Sequence, residues 1–308
     1  MPKKAEWTIP VLSIRYLVTK DGKTLDKEVA DCDWGGGLPL GDVLKAVEQK
    51  EQDTLKALEE GSQFRGYQDK GVQGSLEYKV IDTLEIYDPM PKSTKGNPKQ
   101  PCPDYAKIME LVGIKDYVEK KGVKEVWIWY PASTRIGCWE SNMSSPYGDV
   151  SNSDRDPNDL PVLSKTYTVY HYNLGRESSM AVHDHLHQIE AMVDATPGAG
   201  LWEIWMGKEG AWRCGNCHCP PNAEHDYENP RYVESDIEDW KPEGFGKMKR
   251  INCNTWGRTD MGCYVYWMRS IPGKDNGLTY KGKPLTNWWA LVGDYDRVRR
   301  KNIGLVGR

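Results

Sequence analysis

The 308-residue sequence predicts an α/β or α+β fold with a mixed central sheet, flanking helices and an irregular, Trp/Gly/Pro-rich C-terminal third. Three observations carry this. Strand-like and helix-like segments alternate as far as about residue 195, which is how sheets with flanking helices are written in sequence. The segment VKEVWIWYP (123–131) is apolar on both faces, as a central covered strand must be. After residue 200 the periodicity fades into Gly, Pro and Trp.

The elements follow in order. IPVLSIRYLVT (9–19) reads as a strand. PLGDVLKAVEQKEQDTLKALEEG (39–61) reads as an amphipathic helix, because Val43, Leu44, Val47, Leu55 and Leu58 keep a helical period and Gly61 suits the position after its end. SLEYKVIDTLEIYDP (75–89) is a strand, and 90–103, rich in Pro, Lys and Gly, is a loop. Short helices are expected over 104–113 and 114–122, each stopped by glycine. The central strand 123–131 is followed by some 35 residues without periodicity, then by the inner strand KTYTVYHYN (165–173). A helix is expected over 176–195, stopped at Thr196-Pro197-Gly198. Short strands are expected near 262–268 (GCYVYWM) and 287–293 (NWWALVG). No linker or repeat interrupts the chain, so one domain over 1–308 is expected.

Composition narrows the function classes. The net charge is −4 and basic residues form no extended patch beyond RVRRK (297–301), which argues against nucleic acid. No run reaches the roughly 18–20 apolar residues of a membrane span. The N-terminus lacks an apolar signal core; the expectation is a secreted or periplasmic protein given without its leader, with a cytoplasmic location as the alternative. Eight cysteines are compatible with disulfides in an exported chain. The 13 Trp and 17 Tyr against 2 Phe have two readings, a Trp-built core or stacking platforms for sugar rings.

The histidines point to chemistry. All six lie between 171 and 225, three of them in HDHLH (183–187). At about 100° per residue, Val182, Leu186, Ile189 and Val193 form a buried stripe, and His183, His187 and Glu190 share an arc of roughly 60° on its shoulder. Two imidazoles at i and i+4 with a carboxylate at i+7 can converge on one divalent ion, with zinc favoured. His185 is expected to point the opposite way, to solvent. The same letters resemble the H-E-x-x-H helix of zinc peptidases, with Asp184 in place of the glutamate base.

Two further stretches carry chemistry. CGNCHCPPNAEHDY (214–227) matches the haem attachment pattern C-x-x-C-H, offers thiolates for zinc, and contributes His218 as a metal ligand and Asp226 as an acid or base. GCWESNMSSPYGDVSNSDRDPNDLP (137–161) contains Glu140, the carboxylate nearest the end of the central strand, and a glycosylation sequon at 142–144. Asn152, Asp154, Asp156 and Asn158 alternate oxygen side chains like a calcium loop, without the glycine an EF-hand needs. Ligands of open α/β sheets sit beyond the carboxyl ends of the strands. If strands 123–131 and 165–173 are parallel, the Glu140 loop and the histidine helix emerge at one edge. The residues around that edge, Trp139, Asn142, Asp149, Asn152, Tyr172 and Arg176, are the candidate substrate-binding set.

The segments VKEVWIWY, ESNMSSPYGDVSNS, YTVYHYNLGR, HDHLHQIEAM, CGNCHCPPNAEHDY, SDIEDW and NWWALVGDYD resemble a family of secreted microbial proteins of uncharacterised activity, over about 10–295. The resemblance implies export. It marks Cys214, His218 and the Pro-Pro-Asn as typical and Cys217, Cys219 and Asp184 as not, which counts against the haem, thiolate-zinc and peptidase readings. Glu140, His187, Glu190 and His218 remain the foremost candidates. The expected function is an exported, metal-assisted hydrolase acting on an extracellular polymer, with a glycan favoured. In this reading Glu140, His187, Glu190 and Asp226 are catalytic, and His183, His187, Glu190 and His218 hold the metal. The alternatives are a non-catalytic carbohydrate-binding or surface module with structural calcium, and a zinc peptidase built on HDHLH.

Overall fold

The computed structural model describes residues 4–26, 37–69, 71–93, 101–131, 139–152 and 158–308. It shows a mixed α/β protein, as the sequence predicts. The chain forms two compact units, one of 9–54 and 79–188, the other of 1–8, 55–78 and 189–308.

The first unit is built on a five-stranded sheet. Its strands are β1 (Trp7–Tyr16), β2 (Leu76–Ile86), β3 (Glu125–Tyr130), β4 (Ser141–Ser144) and β5 (Tyr167–Asn173), in the order β2-β1-β3-β5-β4. β1 and β3 pair in parallel, with Val11 opposite Glu125, and β3 and β5 pair in parallel, with Val126 opposite Val169. β4 closes the edge antiparallel to β5, with Ser141 opposite Tyr170. This edge strand lies within the stretch that the sequence left without periodicity. Its four residues are too few to show a period.

Strand alternation sorts the side chains onto two covered faces. Leu12, Ile14 and Tyr16 of β1, Val126, Ile128 and Tyr130 of β3, and Tyr167 and Val169 of β5 share one core. The helices α2 (Tyr105–Leu111) and α3 (Ile114–Lys120) bring Ile108, Met109, Ile114 and Val118 to the same core. On the other face lie Trp127, Trp129, Tyr170 and Tyr172, with ring centroids 4.5 Å apart for Trp129 and Tyr172. The long helix α1 (Leu40–Gly61) supplies Glu51, whose buried carboxylate accepts from Ser13 Oγ (2.5 Å) and pairs with Arg15 (3.3 Å) of β1. The charges survive burial because each is paired and hydrogen-bonded.

The helix α4 (Ser178–Asp194) follows β5 and begins in the first unit. Val182, Leu186, Ile189 and Val193 are buried, as their period predicts. His185 is a correction. It is 2 % exposed rather than facing solvent. Its ring stacks on Tyr170 (centroids 3.8 Å apart) and its Nε2 shares a 2.7 Å hydrogen bond with the Tyr172 hydroxyl. On this side the helix lies against the sheet, so its third histidine has no solvent to face.

The second unit holds a tryptophan core. Trp202 and Trp205 stack with centroids 4.4 Å apart, on the helix α5 (Gly200–Met206) that the sequence reading missed. Trp205, Trp240, Trp267 and Trp288 each donate the indole N–H to an oxygen: Ser270 Oγ, and the carbonyls of Ser270, Gly215 and Leu305. A fully buried Trp is tolerated when its one polar atom is satisfied in this way. Nine of the 13 Trp are buried in the molecule, so at those positions the tryptophan bias builds the interior.

Two expected strands are helices. Residues 260–268 form α6 (Asp260–Met268), opened by Thr259, whose hydroxyl accepts from Gly262 N–H. Residues 290–293 form the short helix α7 (Ala290–Gly293), and α8 (Tyr295–Arg300) follows. Short antiparallel pairs lie in the same unit, among them β6 (Val233–Ser235) with β7 (Lys249–Ile251). No described helix is long and apolar enough to cross a membrane.

Candidate metal centre

α4 sets the first two groups of the site. One helical turn separates His183 from His187, and their Nε2 atoms are 2.7 Å apart. His183 is buried and His187 half-buried. The docking of His185 and the buried apolar stripe fix the rotation of the helix, so the pair is held on one shoulder. Gln188, the next residue, donates from Nε2 to the Val150 carbonyl at 2.6 Å.

Glu140 arrives from the sheet edge. It immediately precedes β4, and its Oε2 lies 4.0 Å from His187 Nε2. Asn152 Nδ2 donates to the same carboxylate at 2.6 Å. The Glu140 side chain is 40 % exposed, so it stays open to solvent while beside a histidine.

The loop 214–219 sets the other two. Gly215 has φ +80°, and a Cβ there would run into the Cys219 carbonyl oxygen, so only glycine fits this turn. Asn216 Oδ1 accepts from the main-chain N–H groups of His218 and Cys219, both at 2.9 Å. Tyr227 donates its hydroxyl to the Cys217 carbonyl at 2.7 Å. The loop is thus pinned by side chains before any ligand binds. Glu190 of α4 accepts from the Cys217 main-chain N–H (2.9 Å) and thiol (3.1 Å).

One ligand atom each from His183, His187, Cys217 and His218 lie within 4.8 Å of one another. Imidazole nitrogens and a thiolate are the donors that zinc and other borderline or soft transition metals take, and this spacing could hold such an ion. The donor set is less suited to calcium or magnesium, which prefer oxygen.

The predicted site residues sort as follows. His183, His187 and His218 share the group, with Glu140 beside it. Cys217 belongs to it although the sequence reading had set its thiolate aside. The available signal was C-x-x-C-H itself, whose cysteine and histidine are adjacent. Glu190 engages Cys217 rather than standing among the grouped donors. Asp226 is exposed and is not among the grouped donors, accepting from Glu228 N–H (3.2 Å) and Asn229 Nδ2 (3.0 Å) as a turn cap. Asp184 is 7 % exposed, and burial, with the Glu140 charge adding to it, pushes its carboxyl well above the usual range. That leaves it without the access a water-activating base needs.

Of the candidate substrate residues, Tyr172 is buried against His185 and Asn142 is buried with its amide donating to Asp159 (2.7 Å). Trp139 is half-buried and stacks on Tyr105 (centroids 5.6 Å). Asn152 and Arg176 are exposed and Asp149 half-buried. Of the proposed calcium loop, Asp154 and Asp156 lie outside the described residues. No disulfide joins any two of the described cysteines; Cys32 and Cys138 lie outside the described set. Comparison with family models, curated proteins and solved structures finds no match for this chain.

Proposed function

We propose that this protein is a zinc-dependent hydrolase in which His183, His187, Cys217 and His218 hold the ion and Glu140 is the general base. The observation that carries the reading is the grouping of four donor side chains with an open carboxylate 4.0 Å from one of them. An ion held by these four residues would supply a water of lowered pKa and a Lewis acid for the substrate carbonyl or leaving group. Glu140 receives the proton of the attacking water, and Asn152 holds the carboxylate towards His187. The half-buried His187 and His218 keep the group reachable from solvent. We place an extracellular polymer, with a glycan first, as the substrate class, and Trp139 beside Glu140 as the aromatic that meets it.

Four protein donors are also the number that closes a structural zinc site, and this favours a second reading in which the ion only staples the fold. The two readings separate cleanly. Elemental analysis of purified wild type should find one zinc per chain, lost in His187→Ala. Hydrolysis of polymer substrates should stop with chelator and return with zinc. Glu140→Gln should keep the zinc and lose the hydrolysis. Protein without stoichiometric metal would sink both readings, zinc-loaded wild type without hydrolysis would leave only the structural one, and unchanged turnover in zinc-loaded Glu140→Gln would remove Glu140 as the base.

A further inference from the structure

Glu190 lies three residues beyond His187 on α4, on the arc that carries the histidine pair. Its position suggests a ligand, but its contacts indicate another role. One carboxylate oxygen accepts the main-chain N–H of Cys217 at 2.9 Å, and the other faces the Cys217 sulfur at 3.1 Å. Both oxygens are thus engaged by the same residue. The remaining restraints on this turn reach its other atoms: Asn216 Oδ1 takes the N–H groups of residues 218 and 219, Tyr227 caps the Cys217 carbonyl, and the Trp267 indole N–H holds the Gly215 carbonyl at 3.0 Å. Among the contacts described, the Cys217 N–H and sulfur are held from α4 by Glu190.

We propose that Glu190 is a positioning residue for Cys217: its carboxylate holds the Cys217 main-chain N–H and so fixes where the sulfur donor of the metal group sits without binding the ion, while the thiol proton that it also accepts leaves to solvent when the sulfur ligates as thiolate. This rests on the metal-centre reading above and deepens it. The physical basis is pre-organisation. A cysteine side chain has freely rotating Sγ, and a donor already aimed at the ion loses less conformational freedom on binding than one that must be captured. Residues that orient metal ligands typically change affinity about 10–100-fold when removed.

Two properties of Glu190 could matter, its acceptor oxygen at a given reach or its negative charge, and conservative variants tell them apart. Glu190→Gln keeps the reach and an acceptor oxygen for the Cys217 N–H but removes the charge. Glu190→Asp keeps the charge but withdraws the carboxylate by one methylene. Glu190→Ala removes both.

The full chain, freed of metal, is titrated with cobalt(II) chloride while the thiolate-to-cobalt charge-transfer absorption is followed. Wild type should show the band and Cys217→Ser should not. Glu190→Ala should bind cobalt about 10–100-fold more weakly, with the band weakened. Glu190→Gln should recover most of the affinity and the band, and Glu190→Asp should not. If Glu190→Ala does not fold, the Gln-over-Asp order alone decides. Aspartate matching wild type while glutamine fails would overturn the proposal, because charge or direct ligation would then be what counts. An alanine variant with wild-type affinity and band would overturn it equally. Those failures leave the metal centre standing. Wild type that binds no cobalt, or binds it without the band, removes the metal reading of Cys217 and this inference with it.

Discussion

His183 and His185 are two residues apart on one helix, and their surroundings have nothing in common. His185 is sealed against the sheet, stacked on Tyr170 and hydrogen-bonded to Tyr172, with Trp127 packed edge-on at 5.6 Å. Burial pushes its pKa down to about 3, and the buried Glu125 carboxylate lies 3.9 Å from its Nδ1. His183, about 200° around the helix, faces His187 instead, nitrogen to nitrogen. His171 on β5 repeats the inward case on the opposite face of the sheet, with its Nδ1 3.0 Å from the Tyr105 hydroxyl and its pKa also pushed down to about 3. The lesson is that clustering of histidine in sequence does not assign chemistry. The inward rings hold α4 and the sheet in place, and that rigidity lets the shoulder pair present its nitrogens together.

The sharpest way to break the contrast is to truncate one ring of each kind. His185→Ala removes a buried stack and leaves the Tyr172 hydroxyl to find another partner. Chemical denaturation should show a loss of about 3–5 kcal/mol, the range for deleting a large buried ring. His187→Ala should cost the metal-free protein less than about 1 kcal/mol, because the ring is at the surface of the core. A result in which the two variants lose equal stability would erase the distinction.

Second in size is the pH response of the inward rings, read at His171. An unfolded histidine titrates near 6.5 and the folded one near 3. Between those values the unfolded chain holds a proton that the folded chain does not, so stability falls as pH falls. The slope expected from this one residue is about 1.4 kcal/mol per pH unit, beginning below about 6.5. His171→Phe fills the same space without titrating. Its denaturation midpoint should depend less on pH over that window than wild type, and parallel pH profiles would contradict the burial argument. The Tyr105 hydroxyl and the Tyr130 ring face His171.

The third contrast is made by the metal. Zinc at about 100 times its Kd should stabilise wild type by about 2.7 kcal/mol, through binding to the native state alone. The same zinc should leave His187→Ala unmoved and should still stabilise His171→Phe. Thermal shifts measured with and without zinc test this. Equal shifts in wild type and His187→Ala would place the ion elsewhere.

Much of this was readable in the chain. EVWIWY could only be a strand covered on both faces, and the 3.6 period of Val182, Leu186, Ile189 and Val193 predicted the buried stripe of α4. What periodicity cannot report is whether a helix is covered on one side or two, so His185 read as solvent-facing. CYVYWM read as a strand because an all-apolar segment carries no phase, and the informative residue was the capping Thr259 before it. The metal group was half legible. His183 and His187 are local, at i and i+4, whereas Cys217 and His218 join them only through tertiary folding 30 residues on. Glu190 was legible as a member of the arc but not in its role, since the partner that claims both its oxygens lies 27 residues away.

The smallest effect expected is also the one that speaks most directly to catalysis. Asn152 lies at the exposed end of the Glu140 contact, donating to the carboxylate oxygen that faces His187. Asn152→Ala deletes one hydrogen bond to a charged group that water can partly replace. A net bond of this kind is worth about 0.5–1.5 kcal/mol, or about 2–12-fold in rate if the carboxylate's position matters in the transition state. The variant should keep its zinc and its stability, because neither the donor group nor the core contains Asn152. Hydrolytic turnover should drop by that factor while metal content is unchanged. Loss of zinc in Asn152→Ala would make Glu140 part of the metal's support. Unchanged turnover would mean that the carboxylate needs no help to face His187, and that Asn152 serves the loop alone.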